Sequence, residues 1–355
     1  MRPILLAVGA LAVAFVPAAT GQETNPTEFE VHEIGYLDLN RKQTVKGWLG
    51  SVPRSTPMQA TEVMAMWRDD TEWRDTPVPP TPRDPALLFY ATRPLVAQVT
   101  VGFRGGAPVA WWPSAVPNGR QLHFANVQVN PALHPARPEA LDTVKYPGLA
   151  PLRHVREAGA TPVRVNNRTE GGLVYEGMLP FNPRLTVRQL RREGFEVRND
   201  TPDTMHDVIL IPGGERERGY LVGDMAPGTR FWIRLADTEA HPVADLIDLH
   251  LRRTGLFPKE IVALRKTLLS ADFVLDPGVR LLARLPRAAW DACFPLTIQP
   301  APRQIVRVGV VRLFDAAGYR PVTTANPVDP ADVPQRGETP ASEPVPTPPG
   351  TAGAR

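Results

Sequence analysis

Apolar and polar residues alternate in short runs over much of the chain, and this pattern predicts β-strands. Residues 29–34 (FEVHEI) alternate over most of their length, and residues 99–103 repeat the pattern. In residues 122–129 the apolar positions change phase partway along, which is typical of a β-bulge. These runs predict an N-terminal β-rich domain over residues 28–145.

The next block, residues 150–236, also contains short strands separated by turn residues. Residues 195–199 and 207–211 flank an Asn-Asp-Thr-Pro turn, and a Pro-Gly turn precedes alternating residues 231–235. Short strands at this spacing indicate a β-sandwich. The order of strand, turn and strand is similar to that of immunoglobulin-like domains.

The third block, residues 240–316, carries the helical periodicity of the chain. Apolar residues at helical spacing predict a helix over 242–253 that ends before Gly255, and Pro258 suits the first turn of a second helix. Two strands follow this helical hairpin, at residues 279–285 and 305–312. We therefore expect a mainly β, α+β fold in which β-sandwich domains accompany a helical hairpin.

The two ends of the chain have compositions of their own. Arg2, the apolar residues 4–16 and the small residues 17–21 together form the pattern of a signal peptide over residues 1–21. The apolar run is shorter than the roughly 20 residues of a membrane-spanning helix, so we predict cleavage near Gln22 and no transmembrane anchor afterwards. Residues 326–355 are proline-rich and predict a disordered tail.

Composition narrows the function classes further. The formal net charge of +3 is too small to indicate nucleic-acid binding. The single cysteine, Cys293, excludes an intramolecular disulfide and lies too far from the N-terminus to accept a lipid there. We therefore expect a soluble exported protein, periplasmic or extracellular, that packs without disulfides.

Common catalytic motifs are missing from the sequence, including GxGxxG, the P-loop, HExxH, GxSxG and CxxC. The candidate metal ligands are His32, Glu33 and His123, since imidazole and carboxylate groups bind divalent metals. Because neighbours on a strand point to opposite faces, His32 and Glu33 serve one site only if the strand bends. We predict no cofactor, and a divalent metal belongs to the alternative, hydrolase interpretation.

Two further sets of residues are candidates for binding. In the pair Trp111–Trp112, alternation places one indole in the core and the other outward. The outward ring could stack on a sugar or peptide, although such a ring more often packs under a loop. The arginines Arg188, Arg191 and Arg192 could contact an anionic glycan, although nearby glutamates favour a solvated, ion-paired face instead.

Several segments resemble one family along most of residues 29–315. Residues 31–36 (VHEIGY), soon after the signal-like segment, are similar to the VHEWG opening of a group of uncharacterised exported bacterial proteins. Residues 88–93, 255–260 and 296–300 fit the same group, whereas Ile34 replaces the tryptophan of its opening motif. The resemblance implies export and full-length architecture, and it transfers no activity.

These observations favour an exported binding or envelope-assembly module over an enzyme. The expected partner is an envelope protein or a glycan. The alternative is a metal-dependent hydrolase of the cell envelope that uses His32, Glu33 and His123.

Overall fold

The computed structural model describes residues 27–39, 81–135, 150–179, 181, 183–190, 194–213 and 217–318. Within these ranges the chain forms 18 strands in three sheets, together with five helices. The mainly β fold that the sequence predicts is confirmed, and so is its helical hairpin. The predicted signal peptide and proline-rich tail lie outside the described residues.

The elements follow one another in the order of the chain. The strands are β1 (Thr27–Leu39), β2 (Thr81–Ala91), β3 (Leu95–Gly102), β4 (Ala107–Trp112), β5 (Val116–Asn118), β6 (Gln121–Val129), β7 (Val163–Val165), β8 (Arg168–Glu170), β9 (Leu173–Met178), β10 (Leu185–Leu190), β11 (Gly194–Asn199), β12 (Met205–Ile211), β13 (Arg218–Met225), β14 (Arg230–Arg234), β15 (His241–Pro242), β16 (Arg280–Arg284), β17 (Leu296–Gln299) and β18 (Pro302–Leu313). The helices are α1 (Ala150–Glu157), α2 (Val243–Leu251), α3 (Pro258–Leu268), α4 (Ala271–Val274) and α5 (Arg287–Cys293).

The main sheet has nine strands, which come from positions all along the described chain, in the order β15-β13-β12-β16-β18-β1-β2-β9-β4. Its centre is a parallel pair of β1 and β18, in which Val31 lies opposite Ile305 and Leu39 opposite Leu313. Strands from all three predicted domains therefore share this sheet.

The other two sheets are antiparallel and cover one face of the main sheet. The second sheet has the order β17-β3-β6-β7-β8, with β5 paired to β6, and the small sheet has the order β10-β11-β14. One buried core joins all three sheets and contains Leu87 of the main sheet, Val101 of the second and Val197 of the small sheet. The β-sandwich architecture follows from this packing, whereas the immunoglobulin-like arrangement stays a prediction.

Helices cover the opposite face of the main sheet. A second buried core joins Ile34, Leu88 and Val308 of the sheet to Leu246 of α2 and Leu264 of α3. The main sheet is consequently buried on both faces along β1. Of the helices that the structure describes, none is long and apolar enough to cross a membrane.

Local sequence signals account for the predicted details. Gly255 has a φ of 87°, a backbone conformation suited to glycine, and it separates α2 from α3, whose first residue is Pro258. The phase change in β6 is a bulge, because the register between β3 and β6 shifts and Asn126 adopts a φ of 53°. Asparagine tolerates this conformation better than most residues.

Candidate functional site

His32 and Glu33 lie side by side on β1 and point to opposite faces of the main sheet. His32 faces the helices and is 1% exposed, whereas Glu33 faces the core between the sheets and is 0% exposed. The strand does not bend to bring them together, so the two side chains belong to separate clusters.

Glu33, which is 0% exposed, is the central acceptor of a polar network. The Trp290 indole N–H donates to Glu33 Oε1 at 2.9 Å, the Tyr175 hydroxyl donates to the same oxygen, and Arg307 Nε donates to Oε2. Arg307 also contacts Asp291 Oδ1 at 2.6 Å. Burial, reinforced by the charge of Glu33, raises the pKa of the Tyr175 hydroxyl well above its ordinary value. Both carboxylate oxygens are engaged, which indicates a structural role.

His32 belongs to a second buried cluster, in which Glu260 is the central acceptor. His32 Nδ1 lies 2.8 Å from Glu260 Oε2 and 3.0 Å from Oε1, and the Tyr90 hydroxyl donates to Oε1 at 2.8 Å. The Phe257 backbone N–H donates to Oε2 at 2.6 Å. Phe257 immediately precedes α3 and Glu260 is the third residue of α3, and a glutamate at this position commonly accepts from the N–H of the residue that precedes the helix. Glu260 thus fixes the start of α3 against β1.

Aromatic rings enclose the same cluster. The His32 and Phe257 rings stack with centroids 4.7 Å apart, and Tyr90 meets Phe257 edge-on at 4.7 Å. Burial, and then the charge of Glu260, raise the pKa of the Tyr90 hydroxyl far above its ordinary value. The ring of His32 is 1% exposed and is too buried to meet a substrate in this arrangement.

The structure does not bring the predicted metal ligands together. His123 lies on β6 of the second sheet, where its Nδ1 is 2.9 Å from the Thr100 hydroxyl oxygen. Among the described residues, no group of three or more His, Cys, Asp or Glu side chains is arranged to hold a metal ion. The hydrolase interpretation stays an untested prediction without a converging ligand set.

Trp111 and Trp112 point to opposite faces of the main sheet, as alternation predicts, but neither is exposed. Trp111 lies in the core between the sheets and is 8% exposed, while Trp112 lies under the helices and is 6% exposed. The Trp112 indole N–H donates to Glu170 Oε1 at 3.0 Å. The expectation of an outward indole is wrong, because helices cover the second face of this sheet.

The arginine candidates are placed only in part. Arg188 on β10 has a side chain that is 72% exposed, and its Nη2 lies 2.7 Å from Glu196 Oε2 on the neighbouring strand β11. Arg191 and Arg192 fall outside the described ranges. The placed arginine therefore fits the ion-paired surface that the sequence favours, and it lies on the outward face of the small sheet.

An exposed tryptophan lies on that same outward face. Trp232 on β14 is 57% exposed and lies opposite Glu196, which in turn lies opposite Arg188. Alternation places Arg230 and Arg234 on the same face of β14 as Trp232. We name these five residues, Arg188, Glu196, Arg230, Trp232 and Arg234, the Trp232 surface.

The charges of the Trp232 surface are only loosely paired on β14. Arg230 Nη1 lies 3.9 Å from Glu196 Oε1, and Arg234 Nη1 lies 4.0 Å from Asp237 Oδ2. Their side chains are 49% and 80% exposed. Ion pairs of this length that involve exposed side chains contribute little to stability. Glu196 is buried but keeps Arg188 at 2.7 Å when Arg230 moves away, so both guanidinium groups can turn toward a ligand at small cost.

Trp232 is not among the residues predicted from the sequence, although the sequence carries a signal for it. Alternating apolar residues at 231, 233 and 235 place position 232 on the other face of the strand, between two arginines. A tryptophan in an otherwise polar phase is a candidate contact residue, because tryptophan is enriched at the energetic centres of interfaces.

Comparisons with known proteins leave the family open. No protein-family model matches the chain, and no curated protein matches it. Among solved structures, the yeast delta-COP-I mu-homology domain complexed with a Dsl1 WxWxV peptide is similar at 8% identity, with 82% of this chain and 97% of that chain covered. The TM-score of 0.25 is too low for this similarity to carry an argument.

Proposed function

We propose that this chain is an exported binding or envelope-assembly protein, and that the Trp232 surface contacts its partner, an envelope protein or a glycan. The observation that carries the proposal is a tryptophan 57% exposed on a regular strand, with exposed arginines on both sides of it. Tryptophan and arginine are the residues most enriched at the energetic centres of interfaces.

The position of the surface supports the same proposal. Four inward residues of the small sheet, Val187, Phe195, Val197 and Ile233, are buried in the core between the sheets, while the inward Phe231 is 41% exposed. The strands that display Trp232 are therefore anchored from behind, and a rigid support reduces the entropy lost when a ligand binds. The signal-like residues 1–21 support export, because an exported protein meets envelope components directly.

Photo-crosslinking in intact cells tests the proposal. The full chain is expressed in a Gram-negative host with benzoylphenylalanine at position 232, and after irradiation the periplasmic and secreted fractions are analysed by gel electrophoresis and mass spectrometry. We expect an adduct of defined mass in an exported fraction, because the reactive ring would lie at the contact. Peptide or sugar in the adduct identifies the partner class.

The matched control places the same reactive residue at Leu275, which is 59% exposed and lies beyond α4. A contact specific to the Trp232 surface gives no adduct at position 275. Equal yields at both positions, no adduct at position 232, or a chain confined to the cytoplasm would each contradict the proposal.

A further inference from the structure

β14 ends the small sheet and leaves one strand edge open. Its pairing partner is β11, with Phe195 opposite Ile233 and Val197 opposite Phe231, and in the described part of the chain no strand pairs along its other side. An open edge presents backbone donors and acceptors to which another extended chain can bond.

Hydrogen-bond alternation shows which residues face that edge. The Asn199 N–H donates to the Thr229 carbonyl at 3.0 Å, at the start of the β11–β14 pairing. Because narrow and wide pairs alternate in antiparallel strands, Phe231 and Ile233 bond toward β11, while the backbone groups of Arg230, Trp232 and Arg234 turn outward. On this outward edge the backbone groups of Arg230 and Trp232 and the N–H of Arg234 have no strand partner in the described part of the chain. The Arg234 carbonyl is already used, since it accepts from the Asp237 and Thr238 N–H groups at 3.1 and 3.0 Å.

Both faces of this edge carry an exposed aromatic ring. Phe231 is 41% exposed on the inward side and Trp232 is 57% exposed on the outward side. Natural proteins usually protect open edges with charges, bulges or proline rather than display large apolar residues there. An added strand would cover both rings and satisfy the outward backbone groups.

The arginines along the edge indicate which residues an added strand would carry. Arg230 and Arg234 lie two residues on either side of Trp232, on the same face. Residues directly opposite each other across a strand pair attract when their charges differ. We propose that the open edge of β14 binds an extended acidic segment of a partner protein by antiparallel strand addition, with acidic residues opposite Arg230 and Arg234 and an apolar residue opposite Trp232. This inference rests on the proposed function and narrows the partner to a polypeptide.

A second copy of this chain fits the edge poorly. A symmetric antiparallel pair of β14 strands centred on Trp232 would place Arg230 of each copy opposite Arg234 of the other. Like charges directly opposite each other destabilise a strand pair. The arrangement of charges thus disfavours self-association and favours an acidic strand from elsewhere.

The test uses the full purified chain and a fluorescein-labelled peptide of sequence TETVTET with blocked ends, followed by fluorescence anisotropy. In the antiparallel register its central valine lies opposite Trp232. Its first glutamate then lies opposite Arg234 and its second opposite Arg230. We expect binding at least about tenfold tighter than that of the basic control TKTVTKT, because two cross-strand charge pairs are reversed in the control. In the Arg230→Glu, Arg234→Glu double variant the preference between the two peptides should invert.

Backbone methylation separates strand addition from charge attraction alone. N-methylation of the central valine removes the hydrogen bond to Trp232 and should abolish binding, whereas N-methylation of the preceding threonine, whose N–H points away, should leave it unchanged. Binding that needs Trp232 but tolerates N-methylvaline would overturn strand addition while the proposed binding surface stands. No preference for the acidic peptide, or self-association that Trp232→Ala abolishes, would overturn the inference, and crosslinking at position 232 would still decide the proposed function.

Discussion

The His32–Glu260 cluster and the Trp232 surface both combine charged and aromatic side chains, but they differ in how closely the charged groups are paired. In the cluster, Glu260 accepts from three groups at 2.6 to 3.0 Å and both residues of the pair are at most 1% exposed. On the surface, Arg230 and Arg234 reach carboxylates only at 3.9 and 4.0 Å, beside a half-exposed indole. Polar groups that are already bonded hold the fold, and those that are loosely paired remain available to a ligand.

Glu33, on the other face of the same strand as His32, tests how much a buried and fully bonded carboxylate contributes to stability. Replacing Glu33 with alanine leaves Arg307, Tyr175 and Trp290 without their shared acceptor in a buried site. We expect the free energy of unfolding to fall by about 4 kcal/mol, because the loss of one partner of a buried ion pair is strongly destabilising. Among the described residues, Arg307 would keep only the partly exposed Asp291 as a counter-charge, and two buried donors would lose their acceptor. Urea denaturation followed by circular dichroism measures the change.

Asp291→Ala is the matched control for Glu33→Ala, since it removes the other acid that contacts Arg307. The side chain of Asp291 is 42% exposed, so water can replace it and the expected loss is about 1 kcal/mol or less. Equal losses in the two variants would show that burial does not separate the two acids.

Acid should weaken the helix-covered side of the main sheet through His154 on α1. Burial lowers the pKa of His154 to about 4 from an ordinary value of 6.5, and its Nδ1 lies 2.7 Å from the Thr267 hydroxyl oxygen. Between these two pH values the unfolded chain binds a proton that the folded chain does not, so stability is full above pH 6.5 and falls as the pH drops toward 4. The expected loss is about 3 kcal/mol.

Urea denaturation at pH 7 and at pH 4.5 measures this loss. The His154→Asn variant lacks the group that titrates. The difference in the free energy of unfolding between pH 7 and pH 4.5 should therefore shrink by most of the expected loss. An unchanged pH dependence in the variant would show that other groups, such as the nearby Glu157, cause the acid loss.

Glu260→Gln tests how far the satisfied cluster depends on its charge. The amide keeps the size of the side chain but offers one oxygen instead of two to His32, Tyr90 and the Phe257 N–H. A donor left without an acceptor in a buried site costs about 2 kcal/mol. The exposed Glu239→Gln is the control, with an expected change near zero, and an equal change in both variants would contradict the buried role of Glu260.

The sequence predicted what depends on neighbouring residues and missed what depends on distant ones. Alternation correctly separated the faces of His32 and Glu33 and located the bulge near Asn126. Helical periodicity followed by a glycine located the break at Gly255. The acceptor of His32 is 228 residues away along the chain, in α3, and the parallel pairing of β1 with β18 spans a similar separation. No local periodicity encodes such contacts.

Exposure was the other quantity that the local pattern could not supply. By alternation alone, Trp112 and Trp232 are equivalent. Each lies on the face of its sheet that points away from the core between the sheets. Helices cover that face of the main sheet and Trp112 is 6% exposed, whereas Trp232 on the outward face of the small sheet is 57% exposed. The layer above a sheet decides which tryptophan can bind.

Trp232→Ala should give the smallest stability change of the series. Because the ring is more than half exposed, its loss should change the free energy of unfolding by less than about 0.5 kcal/mol in urea denaturation. Trp290→Ala is the matched comparison, since Trp290 is 0% exposed and truncating a buried tryptophan costs about 3 to 5 kcal/mol. A loss above about 1 kcal/mol in Trp232→Ala would show that the indole supports the fold, so that Trp232 would belong with the satisfied interior and not with a surface that is available to a ligand.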